Sequence, residues 1–201
     1  MDLVTLGRTL GLSFTAGINL YATVALLGLA VRYDWVALPP QFEVFDNDIV
    51  IGAALVMYAV EFLADKIPWV DTLWDGVHTL IRPLGGALIA VAALGEASPA
   101  VQGLVALLGG TAAAGSHVAK AGSRAVVNTS PEPFSNSVMS VLEDVFVVGL
   151  VVLALVLPVA ALAVAVTLLV LITVFAARLA AAARRRWRSR RPGSIPMRPI
   201  P

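Results

Sequence analysis

From Val145 to Ala177 the chain carries no charged residue for 33 positions. A helix of that length measures about 50 Å at 1.5 Å per residue, against ~30 Å of hydrocarbon in a bilayer. One crossing cannot absorb it. Leu157-Pro158 divides the run, and a tight hairpin there separates a fifth span from a sixth. Composition agrees with a chain that folds in lipid: 59% of its 201 residues are hydrophobic and 13% charged, where soluble domains carry about a quarter charged.

Charge is unevenly placed. Eight of the fourteen Lys and Arg lie from Arg178 onward, leaving six basic against thirteen acidic residues before it. The body is acidic and the tail basic. The absence of cysteine removes disulfides, thiolate metal sites and cysteine catalysis. The opening run is not expected to be a signal peptide, because Asp2 precedes it, Arg8 is its only base and it outlasts a typical h-region. It is read instead as a membrane helix.

Apolar runs of about 20 residues predict an all-α membrane protein with six spans. The first covers 6–31, with Arg8, Thr15, Asn19 and Thr23 on one inward face. Pro39, Pro40, Glu43, Asp46 and Asp48 form a solvated loop, and a short second span covers 49–64. In 69–82, Asp71, Asp75, His78 and Arg82 recur at i, i+4, i+7 and i+11 beside Trp69 and Trp74, the pattern of an amphipathic interfacial helix. Pro83-Leu-Gly85-Gly86 then breaks the third crossing before Ala87 to Leu94 completes it. The fourth span begins near Val101 and ends in His117, Lys120 and Arg124. A loop containing Pro131 and Pro133 leads to the fifth, which carries Ser137, Ser140, Glu143 and Asp144. The membrane domain is thus 1–183, and the basic, Pro-containing tail 184–201 is expected to be unpacked in the cytoplasm.

Thr15-Ala-Gly17-Ile-Asn19 resembles Ala113-Ala-Gly115-Ser-His117. In each half a Pro-containing loop follows, then an acidic pair, Glu61 with Asp65 and Glu143 with Asp144. Three spans per half implies two inverted repeats, about 6–95 and 101–183, as in many transporters. Six spans place both termini on one side, and the Arg-rich tail puts that side in the cytoplasm. The membrane expected is a bacterial inner membrane.

Ionisable residues within spans are costly unless paired or hydrated. Asn19, Glu61, Asp65, Asp71, Asp75, His78, His117, Lys120, Arg124, Glu143 and Asp144 are therefore the candidate ion or substrate pathway. Gly17, Gly85, Gly86, Gly109, Gly110 and Gly115 are candidate hinges or close-packing points. No catalytic motif is found, two separated histidines make no metal site, and no cofactor is implied. The tail suits anionic lipid, while a folded basic module for nucleic acid is missing. A 200-residue chain encloses a wide pathway only with help, so a homo-oligomer is a further expectation.

The stretches FTAGINLYATVALLGL, EFLADKIPWVDTLWDGVHTLIRPLGGAL and HVAKAGSRAVVNTSPEPFSNSVMSVLEDV resemble a family of small integral membrane proteins, domain of unknown function 4126. The resemblance covers most of the chain and leaves out the tail. It implies a polytopic membrane protein and supplies neither an agreed substrate nor a catalytic residue. The leading expectation is a small transporter or channel. A scaffold held together by its charges, or less directly a lipid-modifying enzyme, are the alternatives.

Overall fold

A computed structural model describes residues 1–129 and 133–189, and every regular element among them is helical. The helices are α1 (Leu3–Ile18), α2 (Leu20–Arg32), α3 (Asp48–Ala64), α4 (Pro68–Leu94), α5 (Pro99–Val127), α6 (Pro133–Val156) and α7 (Pro158–Ser189), with a short 3-10 helix at Pro40–Phe45. Side-chain caps start several of them. Asp2 accepts from the Thr5 amide, and Asn47 accepts from those of Ile49 and Val50. Proline opens α4 and α5, where its missing N–H costs nothing.

The bundle has its polarity reversed. Arg82 and Arg124 are among its largest fully buried side chains, while Val60, Leu63, Leu84, Leu88, Leu104 and Leu107 are exposed. Such an exterior suits lipid. By length and apolarity α4, α6 and α7 can each cross a membrane, and α1 and α2 are shorter apolar helices. Leu157 alone separates α6 from α7, the position anticipated for the hairpin. Ala154 before it and Ala161 after it both pack on Gly11.

Three expectations need correction. The third crossing is not broken: α4 runs unbroken from Pro68 to Leu94 with Pro83 inside it. Proline forfeits one backbone bond there, and close packing on α5, with Gly110 against the Pro83 carbonyl, keeps the helix together. The first span is not continuous either. Asn19, with φ −144° and ψ 97°, ends α1 and starts α2, and α2 turns back, so that Arg8 donates to the Ala37 carbonyl 29 positions on. The start of α1 therefore shares one end of the bundle, here the near end, with residues 33–47, with Gly95 beside Pro39 and Gln41, and with Pro158 beside Gly7. α7 leaves that end parallel to α1 and finishes at the far end. The start of α1 and the described end of α7 at Ser189 thus lie at opposite ends of the bundle.

The third correction concerns the repeat. α1 and α5 run parallel, with Gly109 beside Ser13 and with Ala113 and Ser116 beside Gly17, and α5 continues where α1 turns back. An inverted relation demands opposite directions. The two motifs are neighbours in space: Ser116 donates to the Phe14 carbonyl at 2.8 Å, and Ser13 donates to that of Gly86 at 2.9 Å. Helix α7 extends through Ser189, and the rest of the tail, 190–201, lies outside the described residues.

Small residues let these helices meet. Gly86 faces the Ala113 side chain, Gly109 faces Ala90, Gly85 faces Leu20 and Gly115 faces Leu169. A Cβ at Gly17 would overlap the Ala113 carbonyl and the Ser116 hydroxyl, and backbone cannot yield as a flexible side chain can. Gly17→Ala should therefore destabilise the bundle by about 3 kcal/mol or more. Gly149→Ala, whose added methyl meets open space, should gain about 0.5–1 kcal/mol from helix propensity. Unfolding in mixed detergent measures both.

Candidate functional site

α4 and α5 run antiparallel, so two helical stripes confront each other at the far end. Asp71, Asp75, His78 and Arg82 face His117, Lys120, Arg124 and Asn128, each set spaced over three turns. The last turn of α3 adds Glu61 and Asp65, and the start of α6 adds Asn136, Ser140, Glu143 and Asp144. Glu61, Asp71 and Arg82 have no exposed surface at all. The tip of the α1–α2 hairpin closes the set from the near side, where Asn19 Nδ2 donates to Asp144 Oδ1 at 3.0 Å.

Arg82 is the hub at that tip. Its Nη2 donates to Glu61 Oε1 at 2.8 Å. Its Nη1 reaches Asp75 Oδ1 at 3.1 Å, His117 Nδ1 at 2.8 Å and the Gly17 carbonyl at 3.4 Å. A guanidinium can only donate, so Nδ1 of His117 must be the accepting nitrogen and Nε2 carries the proton. That N–H points at Thr79 Oγ1, 3.2 Å away, whose hydroxyl in turn donates to the Asp75 carbonyl. His78 holds the opposite tautomer. Its Nδ1–H donates to the Trp74 carbonyl at 2.8 Å, and Nε2 accepts from the Tyr21 hydroxyl at 2.9 Å. The ring also stacks on Trp74, 4.6 Å between centroids.

Lys120 and Arg124 bind the four far-end helices together. Lys120 Nζ donates to Glu61 Oε1 at 3.2 Å and Asp65 Oδ2 at 3.1 Å, with Glu143 Oε2 at 3.8 Å. All three Arg124 nitrogens are engaged: Nε with Asp71 Oδ1, Nη1 with the Asn136 carbonyl and Nη2 with the Asp65 carbonyl. Asn136 Nδ2 donates to that same Asp65 carbonyl, which ends α3. Asn128 Nδ2 completes Asp71 at 2.6 Å.

The sums do not balance. Six carboxylates, those of Glu61, Asp65, Asp71, Asp75, Glu143 and Asp144, meet three cations, Arg82, Lys120 and Arg124. Lys66 stands at the edge, its Nζ on the Phe62 carbonyl and 3.0 Å from the centre of that ring. Unpartnered buried atoms in the network are mostly acceptors: Glu61 Oε2, Asp65 Oδ1, Asn136 Oδ1 and Asp144 Oδ2, against Arg82 Nε. No group of three or more His, Asp or Glu among the described residues is arranged to hold a metal ion. Beside the network, a cavity of about 230 Å³ opens between α4 and α5, lined by Asp71, Thr72, Asp75, Thr79, Arg124 and Asn128.

All eleven polar residues singled out from the sequence meet in this one assembly. Arg82, its most connected member, lay on the same α4 stripe but was not among the candidates. Asn128 and Asn136 carried no signal beyond their position beside a proline-containing loop. The glycines named as hinges or close-packing points sit at helix contacts.

Removing one partner of a buried ion pair leaves the others charged and unsolvated. Arg124→Met strands Asp65 and Asp71 and should destabilise the protein by about 3–5 kcal/mol. Arg32→Gln, which loses only the solvent-facing pairs with Asp46 and Asp48, should leave the unfolding midpoint nearly unchanged. Denaturation of both variants in the same detergent provides the comparison.

No curated protein and no solved structure matches the chain. Residues 6–178 match one family of proteins, and the chain belongs to that family, described as Domain of unknown function (DUF4126).

Proposed function

We propose that this protein is a small membrane transporter or channel whose cargo is positively charged, a cation or a proton. The observation that carries the reading is the excess of buried carboxylates and acceptor oxygens over cations around Arg82, Lys120 and Arg124. A dry site cannot hold net negative charge at little cost, so it recruits positive charge from outside. Anionic cargo would find the three nitrogens of Arg124 already occupied.

In this reading α3 to α7 cross the membrane and the α1–α2 hairpin enters and leaves on the near side. Its tip at Asn19 has the broken-helix form used at transporter binding sites. The Arg-rich end of α7 makes the far end cytoplasmic, where it meets anionic lipid. Acidic Glu43, Asp46, Asp48 and Glu96 then face outward. A scaffold is the second reading, favoured by the way Arg124 and Lys120 tie four helices together.

Reconstitution into liposomes separates the two. Proton or monovalent-cation flux should appear under a membrane potential and fall at least ten-fold in Glu143→Gln, which stays folded. Absence of flux for every cation under both a potential and a pH gradient sinks the transport reading and leaves the scaffold. Topology is tested independently in this cysteine-free chain. Single cysteines at Asp2 and Asp46 should label from outside and one at Lys66 from inside; labelling at positions 2 and 46 from opposite sides contradicts the hairpin.

A further inference from the structure

The cavity between α4 and α5 has a chemistry of its own. Its volume, about 230 Å³, is far above the ~10–15 Å³ that admits one water. It opens past Thr72, Gly76 and Thr79, which are exposed, while Asp75 on its wall is 95% buried. Most donors in the lining already hold protein oxygens. Arg124 uses all three nitrogens, the hydroxyls of Thr72 and Thr79 donate to the Pro68 and Asp75 carbonyls, and Asn128 Nδ2 donates to Asp71 and Pro68.

Acceptors are not spent. Asp75 is bound by Arg82 through Oδ1 alone, which leaves Oδ2 for a ligand. Asn128 Oδ1 has no partner either, but protein atoms cover it. An anion would face the Asp71 and Asp75 carboxylates, and the cation beside them, Arg124, already holds Asp71, Asn136 and Asp65 through its three nitrogens. A bare divalent ion lacks the converging carboxylates. The Arg82 guanidinium already seated on Asp75 at 3.1 Å shows which group the carboxylate accommodates. The Arg124 charge is offset by Asp71, Asp65 and Glu143 around it.

We propose that this cavity binds a small organic monocation bearing N–H donors, of the guanidinium or methylammonium type, on Asp75. The assignment rests on the transport reading and names its cargo class. A cation on Asp75 competes with Arg82 for the same carboxylate. Since Arg82 also holds Glu61, His117 and the Gly17 carbonyl, the occupied cavity communicates with the hairpin tip.

The test uses the full chain in nanodiscs, titrated calorimetrically with millimolar guanidinium chloride and methylammonium chloride, with sodium chloride and inorganic phosphate alongside. A side chain at Gly76 fills the cavity mouth and starts in open space, as does one at the lipid-facing Gly52, outside the cavity. Saturable binding of an organic cation, weakened at least ten-fold in Gly76→Leu and unchanged in Gly52→Leu, is the expected result. No saturable binding, equal affinity in Gly76→Leu, or phosphate binding that Gly76→Leu abolishes overturns it. Liposome flux that survives in Gly76→Leu rejects this site and spares the transport reading. Binding without any flux does the reverse.

Discussion

One amide stops a helix, starts the next and fastens both to a third. The side-chain oxygen of Asn19 accepts from the Ala22 amide, its carbonyl receives the Thr23 amide and hydroxyl, and its Nδ2 donates to Asp144 on α6. Without this residue the first apolar run would continue as a single crossing. With it, α1 and α2 fill the axis of the near half and leave the far half for side chains. The ionic network occupies the space into which a continuing α1 would have run.

That arrangement explains why the far half tolerates so much charge. Isolated buried ions cost far more than any one pair returns, and here few ions depend on a single partner. Glu61 is shared by Arg82 and Lys120, Asp65 by Lys120 and Arg124, and Asp75 joins Arg82 to the cavity. Shared partners couple the helices that carry them, so α3, α4, α5 and α6 form one electrostatic unit at the far end. The near half has the opposite character, with Gly7, Gly11, Leu12, Ala16, Ala154, Ala161 and Ala165 packing by shape. Where the two regimes meet, Ser13 and Ser116 use hydroxyls to satisfy neighbouring backbone.

Much of this was legible from spacing. The stripes on α4 and α5 follow from a 3.6-residue period, and the buried polar positions Thr15, Asn19 and Thr23 were evident from the first run, although they belong to two helices and the break between them. Helix continuity was harder to read. Pro83 and Gly85-Gly86 signal a break by local propensity, but packing along α5 overrides it. Asn19 signals nothing locally, because a lone Asn among apolar residues serves equally as a helix-interior donor or a cap. That one ambiguity decides whether the first apolar run is one helix or two, and with it the end of the bundle at which α2 finishes. Similar motifs at Gly17 and Gly115 suggested symmetry where the helices are simply parallel and in contact.

The two histidines differ in a way that composition hides. His78 offers Nε2 to Tyr21 on α2, whereas His117 offers Nδ1 to Arg82 on α4. A proton delivered to either ring must take the lone pair that currently bridges two elements. At His78 the bridge between hairpin and α4 only reverses, because the Tyr21 hydroxyl can accept from Nε2–H as well as donate to it. At His117 the bridge lost is the one that restrains Arg82, and an imidazolium would then confront a guanidinium. A single acidification therefore has two separate mechanical meanings, a reversed bond at the hairpin and a released hub at Arg82, decided by whether the partner of each ring can accept as well as donate.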